Sequence, residues 1–520
     1  MLPMLKSKAI STLLPILAVT VVLVGASLAP SRGQFGGNLA ACIGYGYGYG
    51  YGGTAAPTVT GVTPNSGTTA GGTSVFITGT GFCAGVTSIK FGTTPVTSAN
   101  LLADTLFQVV SPAHAAGTVD VTVTNPAGTS ATSSADQYTF TVPTPTVYTA
   151  LTPQRIFDTR TNHGTLGPGG SVTLAIGGIY VPANATSVVL NVTAVDESTA
   201  GFFTIYPTGG TTPNASNLNW VAGETVPNLV SVGMSAGGDV TIFNGLGTAD
   251  AVVDLEGYFG PPSGGSTAGE FNALVPARIT DTRAGSGQAN AGSTLAAGTT
   301  LNIQVTGAGG VPATGVSAVV LNVTAVDQTA NGFFTVFPTG TALPLASNLN
   351  WTPGDTVPNR VIVPVGTGGK VSVYNGLGSA DAIVDVNGYF TDSSASGAGF
   401  FTLFPSRIVD TRNGTGGFPI APLGAAATMT VTVAGHGGVP SAGATAVIVN
   451  VTVANPTVAS DLVIFPADAL AQPTSSDLNF VGGQTVPNLV VVKLSATGTI
   501  KIFNAFGTTN VIVDVVGYYT

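Results

Sequence analysis

The chain reads as all-β, with a small sandwich near its start and three homologous β-sandwich domains after it. Three observations carry that prediction. First, one unit occurs three times. It opens with Arg155-Ile156-Phe157-Asp158-Thr159-Arg160, Arg278-Ile279-Thr280-Asp281-Thr282-Arg283 and Arg407-Ile408-Val409-Asp410-Thr411-Arg412. It closes with Val253-Asp254-Leu255-Glu256-Gly257-Tyr258, Val384-Asp385-Val386-Asn387-Gly388-Tyr389 and Val513-Asp514-Val515-Val516-Gly517-Tyr518. The openings lie a whole domain apart rather than one solenoid turn. Second, the β-branched and aromatic runs from Ser187 to Val195, Gly201 to Tyr206 and Asp239 to Asn244 are bounded by Gly, Pro and Asn, the pattern of strands parted by turns. Third, charged residues make up 7% of the 520 while hydrophobic residues reach 44% and glycines number 72. Ordinary soluble chains carry about 25% charge, so this composition suits strands whose outer faces are polar but uncharged.

The first segment reads as a targeting signal. Lys6 and Lys8 precede an apolar stretch from Ala9 to Ala29, and Val24-Gly25-Ala26 offers small residues for cleavage, so residues 1–29 are predicted to be a secretory signal peptide. An uncleaved anchor is the alternative, since a stretch of that length can span a bilayer. Leu39-Ala40-Ala41-Cys42 has the form of a lipoprotein box but lies too far beyond the apolar core. Residues 30–56 form a Gly/Tyr-rich linker, too poor in side-chain variety for a specific core. In an exported chain the two cysteines, Cys42 and Cys83, allow one disulfide.

Residues 57–142 resemble the IPT/TIG family of immunoglobulin-like domains. The resemblance rests on Val62-Thr63-Pro64-Asn65-Ser66-Gly67, Gly71-Gly72-Thr73, Ile77-Thr78-Gly79-Thr80-Gly81-Phe82, Phe91-Gly92 and Asn125-Pro126-Ala127-Gly128. It implies an Ig-like sandwich that serves as a spacer or contact module, with no catalytic residue. Read physically, the same residues are short alternating strands such as Val119-Asp120-Val121-Thr122-Val123 between turns.

The repeats are placed at 148–260, 271–391 and 400–520. Eight or more short strands in each fit a two-sheet sandwich, with a jelly roll among the topologies that do so. The repeats also resemble tandem β-domains of exported bacterial surface proteins. Gly260 to Thr267 and Asp392 to Gly397 read as short flexible linkers, so beads on a string is the expected arrangement and a packed pseudo-threefold ring the alternative.

Six of the eight arginines sit in the three opening motifs. A planar guanidinium grips a carboxylate through two parallel hydrogen bonds, and Asp254, Asp385 and Asp514 recur in the last strand of each unit. Arg155, Asp158, Arg160 and Asp254 are therefore read as an internal lock, as are Arg278, Asp281, Arg283 and Asp385, and Arg407, Asp410, Arg412 and Asp514. The competing reading is an exposed Arg/Asp pair that binds an acidic sugar or a partner carboxylate. Trp220, Trp351 and Phe480 share one repeat position, each following a Leu-Asn pair. They are candidate ligand-binding aromatics, although sharing a strand face with leucine favours the core.

Gly233-Met234-Ser235-Ala236-Gly237 has the nucleophile-elbow pattern, but the second repeat lacks the serine and a strand rather than a helix follows, so it reads as a hairpin. Pro227-Asn228, Pro358-Asn359 and Pro487-Asn488 read as turn or strand-entry signals. Asp196, Asp327 and Asn455 share a loop position, as do Asp250, Asp381 and Asn510; calcium is the alternative to Asx turns there. No metal or cofactor is expected. The net charge of −9 argues against nucleic acid, which needs clustered Lys and Arg, and no span is expected in the mature chain. Together these readings give a non-enzymatic, secreted or cell-surface protein that binds extracellular or cell-wall polysaccharide, or surface proteins, multivalently. A purely structural envelope or stalk protein is the alternative, and an extracellular hydrolase a weaker third.

Overall fold

The computed structural model describes residues 55–69, 71–97 and 99–520. The signal segment, most of the Gly/Tyr tract and Cys42 lie outside them. Apart from the helical turn Thr159–Asn162, every helix or strand among the described residues is a strand. In the first domain, Thr58–Thr63, Ser74–Thr80, Leu106–Val110 and Ala99–Ala103 form one sheet, facing a second built around Gln137–Thr141, Gly117–Asn125 and Ser88–Phe91. Alternation along Ser74–Thr80 points Val75 and Ile77 inward, where they join Phe82, Phe91, Tyr138 and Phe140 in one core. Cys83 is disulfide-bonded.

Each repeat is a jelly roll. In the first, one sheet runs in the order Val147–Asp158, Asp250–Gly260, Ser187–Val195, Val226–Gly233, and the other Ser171–Ala175, Asp239–Asn244, Gly201–Pro207, Leu218–Trp220. Numbered by chain position these are 1-8-3-6 and 2-7-4-5, the two interleaved Greek keys of that topology. The other repeats keep the same order. Each has its own core; Val188, Leu190, Val192, Phe203, Ile205 and Trp220 belong to the first.

The three jelly rolls do not sit as beads; they close a ring. Every residue of Ser187–Val195 is buried, because the sheet that holds it is covered on both faces. Val188, Leu190 and Val192 face their own sandwich, while Val189 joins a core shared with Val320 and Ile448 of the other repeats. At one end of this shared core six rings interlock. Phe259 stacks on Phe400 at 4.0 Å, Tyr148 meets Phe390 at 4.5 Å, and Phe271 meets Tyr519 at 4.4 Å. Each contact joins the closing strand of one repeat to the opening strand of another. The linkers are tied down as well: the Thr267 hydroxyl donates to Ala395 O, and Gly397 N to the Glu270 carboxylate at 2.7 Å. Burial of the aromatic faces outweighs the freedom that a glycine-rich linker would otherwise keep.

A cyclic set of amides completes the ring. Asn228 Nδ2 donates to Asn450 Oδ1, Asn359 to Asn191 and Asn488 to Asn322, at 3.0, 2.9 and 3.1 Å. In return Asn228, Asn359 and Asn488 accept from the backbone N–H of Leu489, Leu229 and Arg360. The Pro-Asn pairs are thus inter-repeat clasps rather than turns. Asn191, Asn322 and Asn450 each begin an Asn-Val-Thr glycan-acceptor pattern, but all three are buried in the same joint, a poor place for a glycan.

Three positions beside the clasp break the symmetry. They hold Glu256, Leu229 and Asn348 between repeats one and two, Asn387, Arg360 and Asp477 between two and three, and Val516, Leu489 and Asn217 between three and one. Arg360 is fully buried, with Nη2 2.7 Å from Asp477 Oδ1 and Nε 3.0 Å from Leu489 O; Nη1 bonds Asn387. Burial pulls this arginine down and its aspartate up, and their mutual attraction opposes both shifts. Burial, then the Asp254 charge, pushes Glu256 well above its ordinary value, and it accepts from Asn348 at 3.0 Å.

Candidate functional site

The opening motif enters on the first strand, antiparallel to the last, which sets Arg155 opposite Asp254, Arg278 opposite Asp385 and Arg407 opposite Asp514. Arg155 Nε and Nη2 reach the two Asp254 oxygens at 2.5 and 3.2 Å, Arg278 those of Asp385 at 2.9 and 3.3 Å, and Arg407 those of Asp514 at 2.9 and 3.1 Å. All three carboxylates are about 1% exposed and the arginines 13–24%. Burial raises each of these aspartates while its arginine opposes the rise.

The second arginine of each motif does something local. Arg160, Arg283 and Arg412 clip Asp158, Asp281 and Asp410 with Nη2–Oδ2 distances of 2.7–2.8 Å. That hydrogen bond holds each of those carboxyls below its ordinary value. Between the clips, Thr159 and Thr282 donate to Asp250 and Asp381 at 2.5 and 2.6 Å, and Thr411 to Asn510 at 3.0 Å. Those loop residues therefore anchor the motif. A 410 Å³ recess lies against Arg278, Arg283 and Thr474; Arg278 there is held by Asp385 and the Thr474 carbonyl, and Arg283 by Asp281 through Nε and Nη2.

The three aromatics expose little of their rings, although Trp351 and Phe480 contribute to the wall of the cavity described below. Trp220 is 3% exposed, Trp351 5% and Phe480 4%. The two indoles meet Phe203 and Phe334 edge to face, with Phe203–Trp220 and Phe334–Trp351 centroids at 4.6 Å, and their N–H groups donate to Thr199 O and Ala330 O. Leucine and tryptophan share the inward face of a short strand, as its period of two requires. The residue between them, Asn219, Asn350 or Asn479, is turned the other way and only half-buried.

Those three asparagines lead to a cavity of about 730 Å³ contributed by all three repeats. Its lining repeats the pattern Thr-Val-Pro at 225–227, 356–358 and 485–487, and Glu224, Asp355 and Gln484 stand at one equivalent position. In the first repeat Val226, beside the cavity, pairs with Ala194 and thence Ala251, while Gly233 pairs with Ser187 and thence Phe259. The cavity and the aromatic cluster therefore sit at opposite ends of the shared sheets, roughly 25 Å apart at strand rise. The chain passes from the first domain into the ring at the aromatic end, where Thr146 N donates to Phe400 O at 2.8 Å. The loop tips Leu246, Leu377 and Phe506 are exposed, and Leu377 lies on the cavity wall. Sequence reasoning missed this site because its walls come from segments more than a hundred residues apart. The repeated Asn between Leu and Trp was the local trace of it.

Asp196, Asp327 and Asn455 have left-handed backbones with φ of 52–56°, a conformation that Asn and Asp tolerate. Among the described residues no group of three or more His, Cys, Asp or Glu is placed to hold a metal. Ser235 accepts from the backbone N–H of Gly237 and Asp239, as a hairpin serine does. Glu197, 5% exposed, has neither carboxylate oxygen hydrogen-bonded. Burial, with Glu224 and Asp196 adding to it, pushes Glu197 to about 7 from 4.5. The folded protein holds this proton more tightly than the unfolded chain, so stability falls as pH rises from 4.5 through 7 and is flat above. The second repeat has Gln328 here. Glu197→Gln is expected to leave stability at pH 4 nearly unchanged and raise it at pH 8 by up to about 3 kcal/mol, read from urea unfolding at both values. Equal gains at both pH values would show that the carboxylate is not the cause.

No curated protein matches the chain. Among solved structures, SGBP-B from a xyloglucan utilization locus in Bacteroides uniformis aligns at 13% identity, covering 40% of this chain and 73% of that one, with a TM-score of 0.15. The triple jelly roll of an archaeal virus turret aligns at 9% identity over 72% of this chain and 90% of that one, TM-score 0.15. A structure described with xylogluco-oligosaccharide aligns at 10% identity over 89% and 99%, TM-score 0.13. Similarity at this level does not bear on what the chain does. Residues 57–142 match the family model described as IPT/TIG domain, and this part of the chain is an IPT/TIG domain.

Proposed function

We propose that the protein is a non-enzymatic, secreted or cell-surface binding protein whose three repeats form one rigid head that holds an extracellular or cell-wall polysaccharide. The axial cavity carries this reading. Its 730 Å³ falls within the range of about 300–1,000 Å³ common to ligand sites, and it lies at the end of the ring away from the connection to the IPT/TIG domain. Repeated amides and hydroxyls around apolar proline and valine suit a polyhydroxylated ligand, which needs many hydrogen bonds and some apolar contact. The disulfide at Cys83 fits an oxidising compartment, and no helix among the described residues is long and apolar enough to cross a membrane. The recurring Arg and Asp groups are spent on one another, which favours a binder over a hydrolase. Multivalency takes a different form from three tethered sites: three repeats converge on one site per chain.

Thr356 is exposed on the cavity wall, so Thr356→Trp fills the space without touching the core. Titration of the full chain against a glycan array is expected to show saturable binding that this variant weakens at least about tenfold, with the melting temperature unchanged. Binding that ignores the substitution would remove the cavity as the site, and no binding at all would leave the purely architectural role.

A further inference from the structure

The charge of the cavity narrows the ligand further, on the premise that the cavity is the binding site. Glu224 and Asp355 line it, and among the described residues no lysine, arginine or histidine does. In a chain with 7% charged residues, two carboxylates with no cation beside them are conspicuous. Their fold role is modest. Glu224 Oε2 accepts from Val221 N at 3.0 Å, and Asp355 Oδ2 from Thr352 N at 3.0 Å and from the Thr352 hydroxyl at 2.6 Å. In the third repeat Gln484 makes the same bond from Val481 N at 3.1 Å. A neutral amide therefore makes the same backbone bond, which does not itself require the negative charge at the other two positions. The second oxygen of each carboxylate has no hydrogen-bond partner among the described residues, and neither do the amide nitrogens of Asn350 and Asn479, whose oxygens accept from Ser347 and Ser476.

We propose that the cavity takes a saccharide bearing a free amine, one unit per chain, with its ammonium between Glu224 and Asp355 and its hydroxyls on the ring of asparagines and threonines. Acidic sugars are disfavoured, since a ligand carboxylate would meet two like charges with nothing to neutralise them. The same pairing makes binding sensitive to salt.

The test is calorimetric titration of the full chain with three oligosaccharides of equal length: a glucosamine oligomer in mildly acidic buffer, its N-acetylated counterpart and an oligouronate. The glucosamine oligomer is expected to bind one per chain and at least about tenfold tighter than either of the others. In Glu224→Gln/Asp355→Asn that preference shrinks to near unity while melting is unchanged, as Gln484 foretells. Equal binding of the acetylated oligomer or the uronate, or a preference that survives the double substitution, overturns the ammonium site yet leaves a polysaccharide-binding cavity standing. Absence of binding by all three, together with a glycan array indifferent to Thr356→Trp, overturns both.

Discussion

Arg360→Leu is expected to destabilise the ring by about 3–5 kcal/mol, because it strands the buried Asp477 carboxylate without its partner. The same chain supplies the remedy. At the joint between repeats three and one, the equivalent positions hold Leu489, Asn217 and Val516. Asn217 Oδ1 accepts from Ile205 N at 2.7 Å, as Asp477 Oδ2 accepts from Ile464 N at 2.7 Å, so an amide fits where the aspartate sits. The triple variant Arg360→Leu/Asp477→Asn/Asn387→Val is therefore expected to recover the loss, and even to exceed the parent, since replacing a buried ion pair by packed apolar groups is neutral or stabilising by about 1–4 kcal/mol. Denaturant unfolding of the parent, single and triple variants decides. A triple variant as unstable as the single one would mean that the pair is not an isolated unit of this joint.

Phe400→Ala is expected to have an effect of similar size. The ring is about 1% exposed and packs on Phe259 of the first repeat and Tyr519 of its own, and truncating a buried phenylalanine costs about 3–5 kcal/mol. Location makes the result diagnostic. In a string of independent beads the loss would be confined to the third repeat. In the ring it reaches the first, so Phe259→Ala and Phe400→Ala should be non-additive by about 0.5–1.5 kcal/mol, and the three repeats should melt in one calorimetric transition. Additive losses, or separate transitions for the three repeats, would contradict the shared core.

Much of this was legible in the residues. Glycine, proline and asparagine marked the turns, and the repeated Arg and Asp signalled a paired geometry. The buried faces of Trp220 and Trp351 followed from strand alternation. The ring was also written there, less plainly. Ser187 to Val195 and its two counterparts lack the apolar–polar alternation of a sheet with one wet face, and such continuous runs mark strands covered on both sides. The clasp at Asn228, Asn359 and Asn488 had no local signature, because its partners come from different repeats and a Pro-Asn pair ordinarily marks a turn. The differences at 256, 387 and 516 gave a glutamate, an amide and a valine, whose meaning depends on what a distant strand places against them. The axial cavity is a product of assembly, and no single repeat contains it.

The cyclic order of the joints has a consequence for how the molecule comes into being. Phe259 is made early, yet the ring that covers it, Phe400, belongs to the third repeat. A polypeptide emerging from its amino end must therefore carry an uncovered aromatic face until the last third has appeared. Such a two-thirds product would be prone to stick to its own kind, so any helper that escorts this chain would be needed most in that interval.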